Sequence, residues 1–255
     1  RTLTDINGRE FLFLALLAGA PVMLALVSRV ASGAGITGAL VVNGAPVGGE
    51  AVYGLMIWLV YVRFIVPVLG VFYGTSLIAD EVEDRTITYL FTRPIPRAAV
   101  LTGKYLAYLA CTVLLVLPSA LLVFFLLAPG QDGVGAQFPL LVADLGMLAA
   151  GLAAYGAVFA WVGARVPRPL VAGLVFALGW EPAVLVFPGY LKRLTVAWYL
   201  QGLVPHALPQ DDSVSSLLQS LTTAPPVLLS LLVLAGVSVA GVWAAGAAVS
   251  RREYV

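Results

Sequence analysis

Few residues of this 255-residue chain could do chemistry, and most of them share one stretch. Asp80, Glu81, Glu83 and Asp84 come first in it, and Arg85, Arg93, Arg97 and Lys104 follow. Three other charges, Arg63, Asp144 and Glu181, stand alone inside apolar runs. His206 is the single histidine and Cys111 the single cysteine, so no His/Cys metal cluster and no disulfide framework can be assembled. Thr102-Gly103-Lys104-Tyr105 lacks the upstream glycine and the following hydroxyl residue of a phosphate loop. Gly33, Gly35 and Gly38 give a loose G-x-G-x-x-G with no strand before it. No zinc-protease or nucleophile-elbow motif occurs. The residues therefore point away from an enzyme: neither catalysis nor a metal or cofactor site is expected in this chain.

The elements that position these charges follow from composition. Hydrophobic residues make up 61% of the chain and charged ones 11%, against roughly 25% charged in soluble domains. That defines an integral, all-α membrane protein in one transmembrane domain. Apolar runs of about the length a bilayer core requires predict six spans, near residues 11–30, 51–79, 98–128, 138–164, 170–187 and 224–250. Pro21, Pro67 and Pro118 fall inside spans, and Pro182 after Glu181 predicts a break in the fifth. Short helices in the outer leaflet are expected from there to Leu203, before the sixth span. Residues 1–10 read as a short interfacial helix, and the first span is not expected to be a cleaved signal peptide. Near span ends, Lys and Arg number ten on one side and three (Arg29, Lys192, Arg193) on the other. By the positive-inside rule both termini are cytoplasmic. No basic stripe exists to bind nucleic acid. Trp58, Trp180, Trp198 and Trp243 read as interfacial anchors or packing residues.

The charged stretch between spans two and three is then cytoplasmic and reads as a helix over about 81–92. Acidic residues occupy its first turn, in keeping with the helix dipole. Glu81 and Arg85 have the favoured acid-first i,i+4 order. Ile87, Leu90 and Phe91 form one small apolar face, and Pro94 and Pro96 end the helix. A helix with one small apolar face and flanking charge suits docking into a groove of a soluble partner.

Charged groups inside a membrane are costly and normally face a bundle interior or a polar cavity. Arg63, Asp144 and Glu181 all count to the outer halves of their spans. Arg63 could pair with either acid, and the pair could hold helices together or line a pathway.

The run Glu81-x-Glu83-Asp84-Arg85-Thr86-Ile87-x-Tyr89-Leu90-Phe91-x-Arg93-Pro94-Ile95-x-Arg97, followed by Gly103-Lys104, resembles the permease subunits of ABC-2 type (type V) ABC exporters. The six-span plan with its charged inner helix and helical outer segment resembles them over nearly the whole chain. Arg85 departs from the glycine that many members carry. The resemblance implies that Glu81, Glu83, Asp84, Arg85, Thr86, Ile87, Leu90, Phe91 and Arg93 form a coupling helix docked on a separate ATP-binding subunit. It implies two permease chains, as a homodimer or a homologous heterodimer, with two ATPase chains that bind the ATP and Mg. It also implies a bacterial or archaeal cytoplasmic membrane. The apolar spans lean toward an amphiphilic cargo, and transmission of force to an outer partner is a further possibility of this plan.

Two other classes compete. An ion-coupled secondary transporter calls for inverted repeats and midplane ionisable groups, and no repeat is visible. A membrane-embedded enzyme calls for clustered catalytic side chains on facing helices. A non-transporting structural subunit is the third alternative.

Overall fold

The computed structural model describes residues 16–30, 41–42, 45–46, 49–77, 97–127, 133–186, 190–204 and 225–251. Helices account for nearly all of them. The exception is a two-residue antiparallel ladder, Val41–Val42 with Ala45–Pro46, in the polar connection after the first span. Four helices are long and apolar enough to cross a membrane. We name them α2 (Val52–Leu77), α3 (Arg97–Leu127), α4 (Gly133–Arg165) and α7 (Val227–Arg251). Two shorter apolar helices are α1 (Leu16–Val30) and α5 (Pro169–Val184). A 3₁₀ turn, Tyr190–Leu194, and the short helix α6, Val196–Gln201, follow α5.

α4 lies at the centre and packs against α2, α3, α5, α6 and α7. Its sequence explains this position, because Ala153, Ala154, Gly156, Ala157, Ala160, Gly163 and Ala164 leave room for neighbouring backbones. Lipid is as apolar as a helix surface, so close packing of small residues drives helix association in membranes. The matching surface on α2 is Gly70-x-x-x-Gly74. A Cβ on Gly70 would fall 2.7 Å from the Tyr155 Cβ, and one on Gly74 would fall 2.9 Å from the Phe159 Cβ. On the opposite side a Cβ at Gly241 of α7 would meet the Ala157 carbonyl carbon at 2.9 Å.

Two prolines are absorbed without breaking their helices. In α2 the backbone widens to π-helical hydrogen bonding over Met56–Ile65, and the Val66 N–H reaches back five residues to the Tyr61 carbonyl, immediately before Pro67. α5 repeats the device: Val175–Trp180 is π-helical, and the Glu181 N–H bonds the Phe176 carbonyl immediately before Pro182. A proline removes an i→i−4 bond and its ring crowds that carbonyl; the wider turn moves the carbonyl aside. The expected break at Pro182 is therefore corrected. The backbone stays helical through Glu181–Val186, and the short elements that follow begin only at Tyr190.

Side chains fasten the helix ends. At one end Arg29 of α1 donates to the Leu126 carbonyl in the last turn of α3 at 2.7 Å, where helix carbonyls lack intrahelical partners. At the other end Lys104 of α3 donates to the Leu77 carbonyl closing α2, at 3.0 Å. Leu101, Ala160, Ala164, Ala245 and Val249 pack together there with Leu77. The ends of α3, α4 and α7 that carry Lys104, Arg165 and Arg251 thus converge on one end of the bundle.

Gly70→Leu is expected to cost about 1–3 kcal/mol of stability through overpacking, or to abolish folding. Gly236→Ala, with open space at its Cβ position, is expected to leave stability unchanged. Thermal unfolding in detergent, followed by circular dichroism, compares the two.

Candidate functional site

The site is built around Glu181, which is 3% exposed. α5 carries its carboxyl group into the space between α2, α4 and α6. The Tyr155 hydroxyl of α4 donates to Oε2 in a short hydrogen bond. Oε1 accepts the Val196 N–H at 3.0 Å, and the Ala197 amide also faces the carboxyl. Val196 and Ala197 open α6, so Glu181 supplies from another helix the cap that the first turn of α6 requires. Thr195, one residue earlier, turns away: its hydroxyl donates to the Lys192 carbonyl at 2.7 Å.

Arg63 stands near the middle of α2. Its guanidinium lies over the Trp58 ring at 4.9 Å from the centroid and within electrostatic reach of Tyr155 and Glu181. Its Nε has no hydrogen-bond partner among the described residues. Asp144, fully buried, interacts instead with Tyr53. Of the two acids the sequence offered to Arg63, Glu181 is the one it faces. The structure therefore groups Arg63 with Glu181 and places Asp144 in a separate contact with α2.

The groups that make these arrangements possible are tyrosines absent from the expected site. Tyr155 joins α4 to Glu181. Tyr61 of α2 pairs with Ser119 of α3 at 2.7 Å, and Ser119 donates to the Ala18 carbonyl of α1 at 2.6 Å, so one chain of hydroxyls crosses three helices. Tyr105 and Tyr108 of α3 donate to the Ala153 and Leu152 carbonyls of α4 at 2.8 and 3.1 Å. The signal was present in the sequence: a buried tyrosine brings a hydroxyl that must find a partner. Five of them inside apolar runs predict polar ties between spans.

The expected coupling residues, Glu81, Glu83, Asp84, Arg85, Thr86, Ile87, Leu90, Phe91 and Arg93, lie outside the described residues, as does the expected helix at 1–10. No group of three or more His, Cys, Asp or Glu side chains able to hold a metal occurs among the described residues.

Long apolar helices joined by buried polar ties define an integral membrane protein. The sequence profile of the ABC-2 family transporter proteins matches residues 11–196, most of the chain. The chain belongs to that family and is a membrane transport component: a permease subunit of an ABC transporter, whose kind works with an ABC ATP-binding partner. No curated protein matches it.

Glu181→Ala strands the Tyr155 hydroxyl and the α6 amides, and is expected to cost about 1–3 kcal/mol for each buried donor left unsatisfied. The double variant Glu181→Gln/Arg63→Gln is expected to lose less than the sum of its single variants, as contacting residues do. Equilibrium unfolding in mixed micelles measures both; strict additivity would separate Arg63 from Glu181.

Proposed function

We propose that this chain is the membrane-spanning half of an ATP-driven exporter, working as a dimer and drawing its energy from separate ATP-binding subunits. The observation that carries the reading is the family match over residues 11–196, joined to a chain that has no nucleotide-binding motif of its own. In this reading the drive comes from a separate ATP-binding chain. The 81–92 segment, with acids in its first turn and an apolar face of Ile87, Leu90 and Phe91, has the composition of a helix that docks in a partner's groove.

In this reading the six apolar segments, α1 to α5 and α7, all span the bilayer, and both termini are cytoplasmic. Support comes from the ends of α3, α4 and α7, where Lys104, Arg165 and Arg251 gather on one side, the distribution that the positive-inside rule assigns to the cytoplasm. Glu181, the 3₁₀ turn and α6 then lie toward the outside. ATP binding closes the ATPase dimer, the 81–92 helix moves with it, and α2 and α3, directly attached to that helix, carry the movement into the bundle. The Lys104 contact with the Leu77 carbonyl joins α2 and α3 at the point where such a push would enter. The Glu181 tie gives the movement a route to the outer segment, because one carboxyl group of α5 bonds both α4 and α6.

Affinity purification in mild detergent from the native host, with an ATPase assay, tests the proposal. An ABC ATP-binding chain is expected in near-equal amount. Ile87→Asp/Leu90→Asp is expected to release it and abolish stimulated hydrolysis while the permease remains folded; unchanged co-purification would count against docking at this helix. Topology has a separate test. In a Cys111→Ala background, Gln201→Cys is expected to react with an impermeant thiol reagent added outside, and reaction only from the cytoplasmic face would reverse the orientation.

A further inference from the structure

Arg63 carries a charge near the middle of a span, and the described residues give it no acceptor. It stands eleven residues after Val52 and fourteen before Leu77, about 16 and 21 Å from the two ends at the helical rise. A guanidinium has five N–H donors and no acceptor of its own. Among the described residues its contacts are the buried Trp58 ring, 4.9 Å away, and the fields of Tyr155 and Glu181. No hydrogen bond or ion pair engages it there, and its Nε is buried without a partner. Glu181 does not answer it directly, because its two oxygens are spent on Tyr155 and on the Val196 amide.

The charge is not sealed into the bundle. Arg63 is half-buried, and it shares one side of α2 with Leu55, Leu59, Val60 and Phe64, none of them buried. Leu59 is 56% exposed and Phe64 49% exposed. The cation thus lies on the border between a packed interior and an accessible apolar strip. It lies within the π-helical stretch Met56–Ile65, a backbone form that concentrates at functional sites.

A second copy of this chain has no spare acid to offer at this depth. Asp144 and Glu181 are the acids of the described spans, and both are buried within their own bundle. A resident bilayer lipid keeps its headgroup at the surface, about 15 Å from the midplane. The acceptor that fits is therefore an oxyanion passing through the membrane. Guanidinium matches carboxylate and phosphate in geometry as well as charge, and a charge crossing the core is costly unless it is paired.

We propose that Arg63 is the anion-recognition point of the transport path, receiving the carboxylate or phosphate of an amphiphilic cargo while the apolar strip of Leu59 and Phe64 accepts its apolar body. This rests on the transport reading above and adds the chemical class of what is carried.

The test uses the permease purified from its native host in mild detergent with the ATP-binding chain that accompanies it. The probe is a long-chain alkyl phosphate with a diazirine beside its head, and the matching alcohol is the neutral control. Adducts are mapped by mass spectrometry. Saturable labelling of the peptide that holds Leu59, Arg63 and Phe64 is expected, at roughly tenfold lower concentration for the phosphate than for the alcohol, the worth of one charge-assisted hydrogen bond. Arg63→Gln should remove that difference, Arg63→Lys should keep part of it, and ATP with Mg should lower the labelling. Equal labelling by phosphate and alcohol in the unaltered chain overturns the site, whether or not the variants fold. Preferential labelling that ATP leaves unchanged marks a resident lipid and overturns the cargo role. Recovery of the permease without an ATP-binding chain overturns the transport reading itself, and is seen before any probe is added.

Discussion

A carboxyl group buried inside a membrane protein must be surrounded by donors, because lipid supplies none. Glu181 meets this constraint by drawing three elements together: Tyr155 of α4, the opening amides of α6 and the nearby charge of Arg63 on α2. The arrangement explains features that otherwise look unrelated. α6 is too short to be stable alone and its own preceding residue, Thr195, does not cap it; it persists where Glu181 holds its first turn. α4 must bring a tyrosine to the same point, and it can do so because its small residues let α2 and α7 approach closely on either side.

Two of the three π-helical stretches among the described residues belong to the same design. Each ends two residues before a proline, Pro67 in α2 and Pro182 in α5. Arg63 lies within the first and Glu181 directly follows the second. Wider turns change which face of the helix a side chain occupies, and so help to aim these two residues at a common interior point while the helices run on. Irregular backbone near a functional group in a membrane is tolerated where protein shields it, and most of the α2 stretch is buried.

The amino-acid sequence makes the apolar helices readable because their length and composition follow directly from bilayer thickness. Their boundaries agree with the described helices to within a few residues for α3, α5 and α7, while α4 begins earlier, at Gly133. Arg63, Asp144 and Glu181 stand out for the same reason: charge is rare inside an apolar run. The partner of Arg63 is not readable, since choosing between Asp144 and Glu181 depends on how α2, α4 and α5 rotate, and the π-helical turns set that rotation. Pro182 misleads as a breaker because the turn before it, not the proline, determines whether the helix continues. The tyrosine ties are legible in hindsight from hydroxyls within apolar runs, although their acceptors, mostly backbone carbonyls on other helices, carry no sequence signature.

The most direct measurement of the tie through Glu181 is hydrogen–deuterium exchange of the peptide spanning residues 190–204 in the purified chain, compared with Glu181→Gln. The account predicts slow exchange at Val196 and Ala197 in the unaltered protein and faster exchange there in the variant, with peptides from α2 and α3 unchanged. Equal exchange of the 190–204 peptide in the two proteins would contradict it, and would mean that this segment is held by apolar packing without the carboxyl group.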